Sequence, residues 1–192
     1  MRTTRLMSAL CLLACSLPAI AGNITQVAEF PGLTPQKLYD AYLSSGDHAA
    51  MTGFPATYYR ASTKTEVAVG QEGDELRAFG MTGADGKLHY IIQAKLLRLV
   101  PGQEIVSTWK ASTWNLPVDA AVPDCILVLT FHKTQAGAEI RLVQVNVPDF
   151  PDLSDAKAAA AGTETDAVNT NWYFRYWEPM RKYFAAQAKP AT

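Results

Sequence analysis

The chain has 192 residues, a length typical of a single domain, and is 48% hydrophobic and 18% charged. This balance excludes an intrinsically disordered chain and a bundle of membrane helices. The formal net charge is −1. Because no excess of basic residues is present to hold phosphates, we expect no nucleic acid among the partners.

The N-terminal segment has the three parts of a secretory signal peptide. Arg2 and Arg5 give a basic start, and the apolar stretch 6–17 is shorter than the roughly 20 residues that cross a bilayer. The sequence Ala19–Ile20–Ala21 then supplies a small-x-small cleavage pattern. We therefore expect a signal peptide over residues 1–21, cleaved after Ala21, and a periplasmic or secreted protein.

Two alternatives remain for this segment: a buried N-terminal helix, or lipid attachment at Cys15, because residues 12–15 loosely resemble a lipid-attachment box. After cleavage, residues 22–192 form one mature domain whose single cysteine is Cys125, so no intramolecular disulfide can form. Loss of two arginines leaves 15 basic against 18 acidic residues, a net charge of −3. No later apolar run is long enough for an integral membrane span.

The mature chain begins with a predicted strand over Asn23–Phe30. A helix follows over Pro35–Ser44, with Thr34 as its N-cap and proline at its first position. Gly46 is expected to stop this helix, and Asp47–Met51 to add a short second turn.

Residues 58–147 then read as consecutive strands separated by short turns, of which Asp85–Gly86 is a strong hairpin signal. Short turns between neighbouring strands indicate an antiparallel sheet. The predicted strands are Thr65–Val69, Leu76–Met81, Leu88–Leu99, Ile105–Lys110, Cys125–Lys133 and Ala138–Asn146.

A long C-terminal helix is predicted over Glu164–Gln187, and Pro179 inside it should kink it. Its apolar residues recur at spacings of three or four, among them Trp172 and Tyr176. This aromatic stripe is either core packed on the sheet, the favoured interpretation, or a surface that faces a ligand. The order of elements indicates an α+β fold of two layers.

Residues along most of the mature chain carry a family resemblance: Leu38–Ala41, His48, Thr52–Gly53, Gly80, Gly86, Leu99–Val106, Trp109–Lys110, Trp114, Val147–Pro148, Trp172, Tyr176 and Glu178–Met180. In this order they resemble the START-like (SRPBCC) superfamily. Within it, they resemble the ATPase-activator homology family of the ninety-kilodalton heat-shock chaperone. The resemblance implies a helix-grip fold, a curved antiparallel β-sheet wrapped around a long C-terminal α-helix. It also implies a cavity between sheet and helix, in which relatives bind lipids or other apolar molecules.

Little in the sequence points to catalysis. None of the three histidines has a partner at metal-ligand spacing, so we expect neither a metal nor a cofactor. Ser107 lacks a nucleophile-elbow motif, and Cys125 is expected to be a buried, inert thiol. His48 follows the first helix, where the resemblance implies a cavity mouth, and is the best candidate for a polar ligand contact. The alternative is a surface or capping histidine.

Two strands supply candidate polar and aromatic lining. Period two places Gln144 and Asn146 on the face of Ile140 and Leu142, inside or at the rim of the cavity. Trp109 shares a face with Ser107. Tyr90 begins a comparable inward face on its own strand.

The leading hypothesis is therefore an exported protein, monomeric or weakly dimeric, that holds an apolar or amphipathic small molecule. No catalytic residue is assigned. The predicted ligand-binding residues are His48, Tyr90, Trp109, Trp114, Gln144, Asn146, Trp172 and Tyr176. One alternative is a cyclase or hydrolase that uses His48 with a carboxylate such as Asp47. Another is a chaperone-activator-like interaction module, which an exported location disfavours because the periplasm lacks ATP.

Overall fold

The structure is a computed structural model that describes residues 22–83, 86–111, 125–147 and 172–188. The predicted signal peptide, Trp114 and the start predicted for the C-terminal helix at Glu164 lie outside the described residues.

Eight strands and three α-helices make up the described fold. The strands are β1 Gly22–Pro31, β2 Thr57–Arg60, β3 Thr65–Val67, β4 Glu75–Thr82, β5 Leu88–Val100, β6 Glu104–Ala111, β7 Cys125–Lys133 and β8 Gly137–Val147. The helices are α1 Pro35–Leu43, α2 Ser45–Thr52 and α3 Glu178–Gln187, with a π-helical turn Tyr173–Trp177 directly before α3.

The strands form one open antiparallel sheet in the order β1-β8-β7-β6-β5-β4-β2-β3. Consecutive strands from β4 to β8 are neighbours, which confirms the predicted meander. The first strand, β1, pairs antiparallel with the last, β8, at one edge of the sheet, with Ala28 opposite Ile140. Together with the C-terminal helix this is the α+β helix-grip arrangement predicted from the sequence. No helix within the described ranges is long and apolar enough to cross a membrane.

The end of the first helix differs from the prediction. Helix α1 ends at Leu43, and Gly46 lies inside α2 instead of stopping the chain. Ser44 causes the break because its backbone is extended (φ −78°, ψ 122°) and its hydroxyl accepts a hydrogen bond from the Asp47 amide at 3.1 Å. Ser44 thus closes one helix and caps the next.

The irregularity expected at Pro179 takes the form of a wider helical turn. Proline has no amide hydrogen and its ring clashes with the carbonyl four residues earlier. In the π-helical turn the Glu178 amide reaches back five residues, to the carbonyl of Tyr173. The chain therefore continues as one helical segment past Pro179, and α3 ends at Gln187 as predicted.

The core lies between the concave sheet and the helices. Buried residues alternate along β7 and β8, for example Leu127, Leu129 and Leu142. Tyr39 of α1 packs edge-on against Phe131 of β7, with ring centroids 5.7 Å apart. The short strand β2 was absent from the predicted strands because four residues carry too little alternation to be recognised.

Ser44→Ala should lower the free energy of unfolding by about 1 kcal/mol, because α2 loses its capping acceptor. Ser44→Asp keeps an acceptor and should restore most of the loss. Urea unfolding followed by circular dichroism measures the free energy of unfolding of both variants. An unchanged free energy in Ser44→Ala would show that the cap contributes nothing to stability.

Candidate functional site

The space beneath the C-terminal helix is filled by rings from both layers of the fold. We call this set the aromatic cluster: Tyr42, His48, Tyr58, Phe79, Trp109, Trp172 and Tyr176. Tyr176 is its centre, since its ring lies 4.5 Å from that of Trp172 and 5.4 Å from that of Phe79. Trp109 of β6 approaches Trp172 with centroids 5.0 Å apart. The cluster therefore joins the sheet, the first two helices and the C-terminal helix.

His48 is completely buried in this cluster and connects two helices. Its Nδ1 lies 2.9 Å from the carbonyl oxygen of Tyr42, one of the carbonyls at the end of α1 that has no partner within the helix. A carbonyl only accepts, so Nδ1 carries the hydrogen, and in the neutral ring that burial favours Nε2 is then the acceptor. Nε2 therefore accepts from the Tyr176 hydroxyl at 3.3 Å. The Tyr42 carbonyl accepts a second bond, from the Tyr58 hydroxyl at 2.9 Å.

The electrostatics of the cluster favour neutral groups. Burial lowers the pKa of His48 to about 4, and only the hydrogen bond to the Tyr42 carbonyl opposes that shift. Burial also raises the pKa of Tyr42, Tyr58 and Tyr176, so each hydroxyl keeps its proton. At neutral pH these four side chains therefore carry no charge.

Gln144 on β8 is the polar contact between the sheet and the start of the C-terminal helix. Its side chain is 1% exposed, and its Oε1 accepts a hydrogen bond from Trp172 Nε1 at 2.8 Å. The predicted inward direction of Gln144 is confirmed by this burial. An indole N–H in a core needs such a partner, so the pair fixes the direction of the Trp172 ring.

Two buried hydroxyls in the same region have no such partner. The Tyr42 hydroxyl and Ser107 Oγ are enclosed and make no hydrogen bond to any residue that the structure describes. Ser107 lies on the inner face of β6, two residues before Trp109. A buried hydroxyl without a partner costs about 1–3 kcal/mol, so two of them in one region require an explanation.

Phe79 reaches the cluster through a strained backbone. Its φ of 55° lies in the left-handed region, which costs a bulky residue about 1–3 kcal/mol. The break in alternation buries three consecutive residues, Ala78, Phe79 and Gly80. The Phe79 ring then contacts Tyr176 on one side and Phe54 on the other, with Phe54 5.2 Å away. Backbone strain of this kind often occurs at binding sites.

The structure brings together most of the predicted ligand-binding residues. Trp109, Trp172 and Tyr176 contact one another, and His48 and Gln144 each hydrogen-bond to this group. His48 is not at the surface. Instead it caps the end of α1, so only the capping half of the alternative interpretation is correct. Whether these residues bind a ligand stays a prediction.

Of the other three predicted residues, two are not fully buried and one lies outside the described residues. Tyr90 is half-buried on β5. Asn146 was predicted on the face of Gln144, and this is wrong, because its φ of 59° breaks the alternation and leaves its side chain exposed. Val147 is buried instead. Trp114 is outside the described residues.

Sequence reasoning missed the roles of Tyr42, Tyr58 and Phe79. The apolar spacing of α1 predicted that Tyr42 is buried, but no local signal predicted that its hydroxyl would stay unpaired. Ser107 was considered only as a nucleophile and dismissed. Its place on the face of Trp109 was the available signal.

The pair needed for His48-based catalysis is not formed. Both ring nitrogens of His48 are engaged, by the Tyr42 carbonyl and the Tyr176 hydroxyl. The Asp47 carboxylate accepts a short hydrogen bond from the Tyr183 hydroxyl of α3. His89 and His132 are exposed, as expected. No group of three or more potential metal ligands occurs in the described part of the chain.

Cys125 is also as expected. Its side chain is buried, and its thiol donates a hydrogen bond to the carbonyl oxygen of Asn146 at 3.2 Å.

Comparison with known proteins agrees with this fold. The family described as "Activator of Hsp90 ATPase homolog 1-like protein" matches residues 33–185, which is most of the chain. The chain therefore belongs to this family, and the predicted resemblance is confirmed. No curated protein sequence matches significantly.

Solved structures show the same fold at low sequence identity. A protein from Chromobacterium violaceum is 22% identical with a TM-score of 0.54, over 88% of this chain and 99% of that one. A protein from Rhodobacter sphaeroides is 17% identical with a TM-score of 0.56, over 88% and 95%. An HSP90 activator from Plasmodium falciparum is 12% identical with a TM-score of 0.53, over 86% and 96%. At these identities the likeness concerns the fold alone.

The burial of His48 predicts a pH dependence of stability. Its pKa is about 4 in the folded protein and about 6.5 when unfolded, so between these values the unfolded chain binds more protons. The free energy of unfolding should be independent of His48 titration above pH 6.5, and it should fall by up to about 3 kcal/mol as the pH drops to 4. Urea unfolding across this range measures the slope.

His48→Asn keeps a donor for the Tyr42 carbonyl but cannot titrate, so it should flatten that slope. His89→Asn, at an exposed position, is the matched control and should leave the slope unchanged. An equal slope in the His48 variant would show that another group carries the acid sensitivity.

Proposed function

We propose that this protein is an exported binding module that holds an apolar or amphipathic small molecule between its sheet and its C-terminal helix. The observation that carries the proposal is the pair of buried hydroxyls, on Tyr42 and Ser107, without partners among the described residues. A core selected only for stability gains nothing from them, since phenylalanine and alanine would fill similar space without the desolvation cost.

The surroundings of these hydroxyls suit a small ligand. Small-molecule sites are mostly apolar and aromatic, with a few placed polar groups that fix orientation. The aromatic cluster supplies the apolar surface, and Gln144 and His48 add polar atoms whose positions their own hydrogen bonds define. The strained backbone of Phe79 is consistent with a site where stability is sacrificed for shape.

The C-terminal helix is attached in a way that would permit ligand entry. Five described hydrogen bonds connect it to the rest of the fold: Trp172 to Gln144, Tyr176 to His48, Trp177 to Gln26, Arg181 to the Glu29 carbonyl and Tyr183 to Asp47. Each hydrogen bond contributes only about 1 kcal/mol net. The π-helical turn lies where the helix crosses the cluster, and such turns are frequent at functional sites. Separation of this segment from Trp109 would open the interior.

Export would place the module outside the cytoplasm. The basic start, apolar stretch and Ala19–Ile20–Ala21 support cleavage after Ala21. The mature chain would hold Cys125 as its single cysteine, and that residue is buried, so the fold does not rely on an intramolecular disulfide after export.

Native mass spectrometry of the protein expressed from its full sequence tests the binding function. We expect a bound small molecule in the native spectrum that disappears on denaturation. Trp172→Phe removes the indole donor to Gln144 and should reduce the retained fraction severalfold. Tyr173→Phe, on the exposed side of the same segment, should retain as much as the unchanged protein.

Two results together would contradict the proposal. The first is a purified protein that carries no bound molecule, and the second is that Trp172→Phe and Tyr173→Phe bind equal amounts of lipid when each is incubated with a lipid extract. A loss of retention in Tyr173→Phe alone would place binding on the outer side of the helix instead.

The second candidate is an interaction module that activates an Hsp90-type chaperone. The family match favours it, as does the fold shared with the activator from Plasmodium falciparum. Such a partner needs ATP and a shared compartment. Cell fractionation with N-terminal sequencing separates the two candidates. A chain that begins at Gly22 in the periplasm supports the exported module, whereas an intact Met1 in the cytoplasm supports the activator.

A further inference from the structure

The proposed binding function does not specify the chemical class of the ligand, and the described residues restrict which classes fit. Resting on that function, we infer that the ligand is an electrically neutral, planar aromatic molecule with a hydrogen-bonding oxygen, anchored by the hydroxyls of Tyr42 and Ser107.

The two hydroxyls belong to the same neighbourhood of the core. The Tyr42 ring stacks on that of Tyr176, with centroids 6.5 Å apart and planes inclined by 25°. Tyr176 also contacts Trp109, 6.1 Å away, and Ser107 precedes Trp109 by two residues on the same face of β6. Tyr42 therefore contacts the Tyr176 ring directly from α1, whereas Ser107 lies on the sheet beside Trp109, a second ring that contacts Tyr176.

Among the described residues, this region offers no charge to balance an ionised ligand. Among the described residues the buried polar side chains are His48, Thr52, Thr57, Asp74, Ser107 and Gln144. Asp74 is the one carboxylate, and it is bound by Arg60 at 3.0 Å and by the amide of Gln71. His48 is neutral at neutral pH, because burial lowers its pKa to about 4. Moving an ionised group into such surroundings is costly, so an anion or a cation is disfavoured.

One exposed cation does approach the edge of the cluster. The guanidinium of Arg175 lies 5.3 Å from the centre of the Phe54 ring, and Phe54 contacts Phe79. Because Arg175 is solvent-exposed, it could hold an anionic group only at the surface and not beside Tyr42 or Ser107. If Arg175 held the ligand, an anionic probe would bind more tightly than a neutral one and would lose affinity in Arg175→Gln.

The shape preference follows from the lining. Trp109, Trp172 and Tyr176 contact one another with planes inclined by 35° to 59°, and a ligand that separates them would have to replace these ring–ring contacts with its own. Flat ligands gain contact with several ring faces at once. A hydroxyl both donates and accepts, so Tyr42 and Ser107 together can serve a phenol, a ketone or an ether oxygen.

Three naphthalene probes separate these features: neutral 2-naphthol, ionised 2-naphthoate and 2-methylnaphthalene, which has no hydrogen-bonding group. Equilibrium dialysis at neutral pH, with the protein purified after expression from its full sequence, gives the dissociation constant of each probe. We expect 2-naphthol to bind at least about tenfold more tightly than 2-naphthoate, and about threefold to tenfold more tightly than 2-methylnaphthalene, the range of one net hydrogen bond.

Two variants connect that preference to the hydroxyls. Tyr42→Phe and Ser107→Ala should each weaken 2-naphthol binding by about threefold to tenfold and leave 2-methylnaphthalene binding unchanged. Without ligand, each variant should have an unchanged or higher Tm, because it removes a buried group without a partner. Ser45→Ala is a contrasting control, since the Ser45 hydroxyl is already bonded to the carbonyl of Val67 and its loss should lower the Tm.

Tighter binding of 2-naphthoate, especially if lost in Arg175→Gln, would overturn the inference while leaving the binding function intact. A lower Tm in Tyr42→Phe or Ser107→Ala with unchanged 2-naphthol binding would show a structural role and also overturn it. If no probe binds, the inference is wrong. Recovery of a bound lipid by native mass spectrometry from the same preparation would then show that the binding function survives.

Discussion

The early end of the first helix is the constraint on which the centre of this protein depends. Helix α1 ends at Leu43, so its last carbonyls need partners from elsewhere in the chain. The Gly70 amide reaches the Leu43 carbonyl, and the Tyr42 carbonyl receives His48 and Tyr58. Because His48 must donate through Nδ1, its Nε2 is left to accept from Tyr176. The Tyr42 carbonyl, which has no partner within α1, thus determines the tautomer of the buried histidine and, through it, one contact to the C-terminal helix.

The same arrangement is the reason why we propose binding instead of catalysis for the interior. A histidine held by two hydrogen bonds and kept neutral by burial has no free nitrogen to act as a base. The neighbouring carboxylate, Asp47, is engaged by Tyr183 on the outer part of the helix. What remains without partners in the described core are two hydroxyls, on Tyr42 and Ser107, amid aromatic rings. Such groups can orient a molecule, but they lack the charge needed to activate one.

The sequence predicted those parts of the fold that repeat. Alternation gave the long strands β5 to β8, and turn residues gave their antiparallel order. It failed where a single residue changes the backbone direction, because alternation does not predict the extended Ser44, which bridges to Val69, or the left-handed Phe79 and Asn146. The candidate site was predicted only in part, because some of its residues follow the alternation and others do not. Gln144 follows the alternation, whereas Asn146 lies just past its end.

The central claim is that the Tyr42 and Ser107 hydroxyls face a small molecule. A crystal structure of the protein isolated without added ligand, at a resolution that distinguishes water from organic density, tests it most directly. The account predicts one flat, connected density beside Tyr176, with an atom about 3 Å from each hydroxyl. Isolated ordered waters at both hydroxyls, with the rings of the aromatic cluster in unchanged contact, would contradict it.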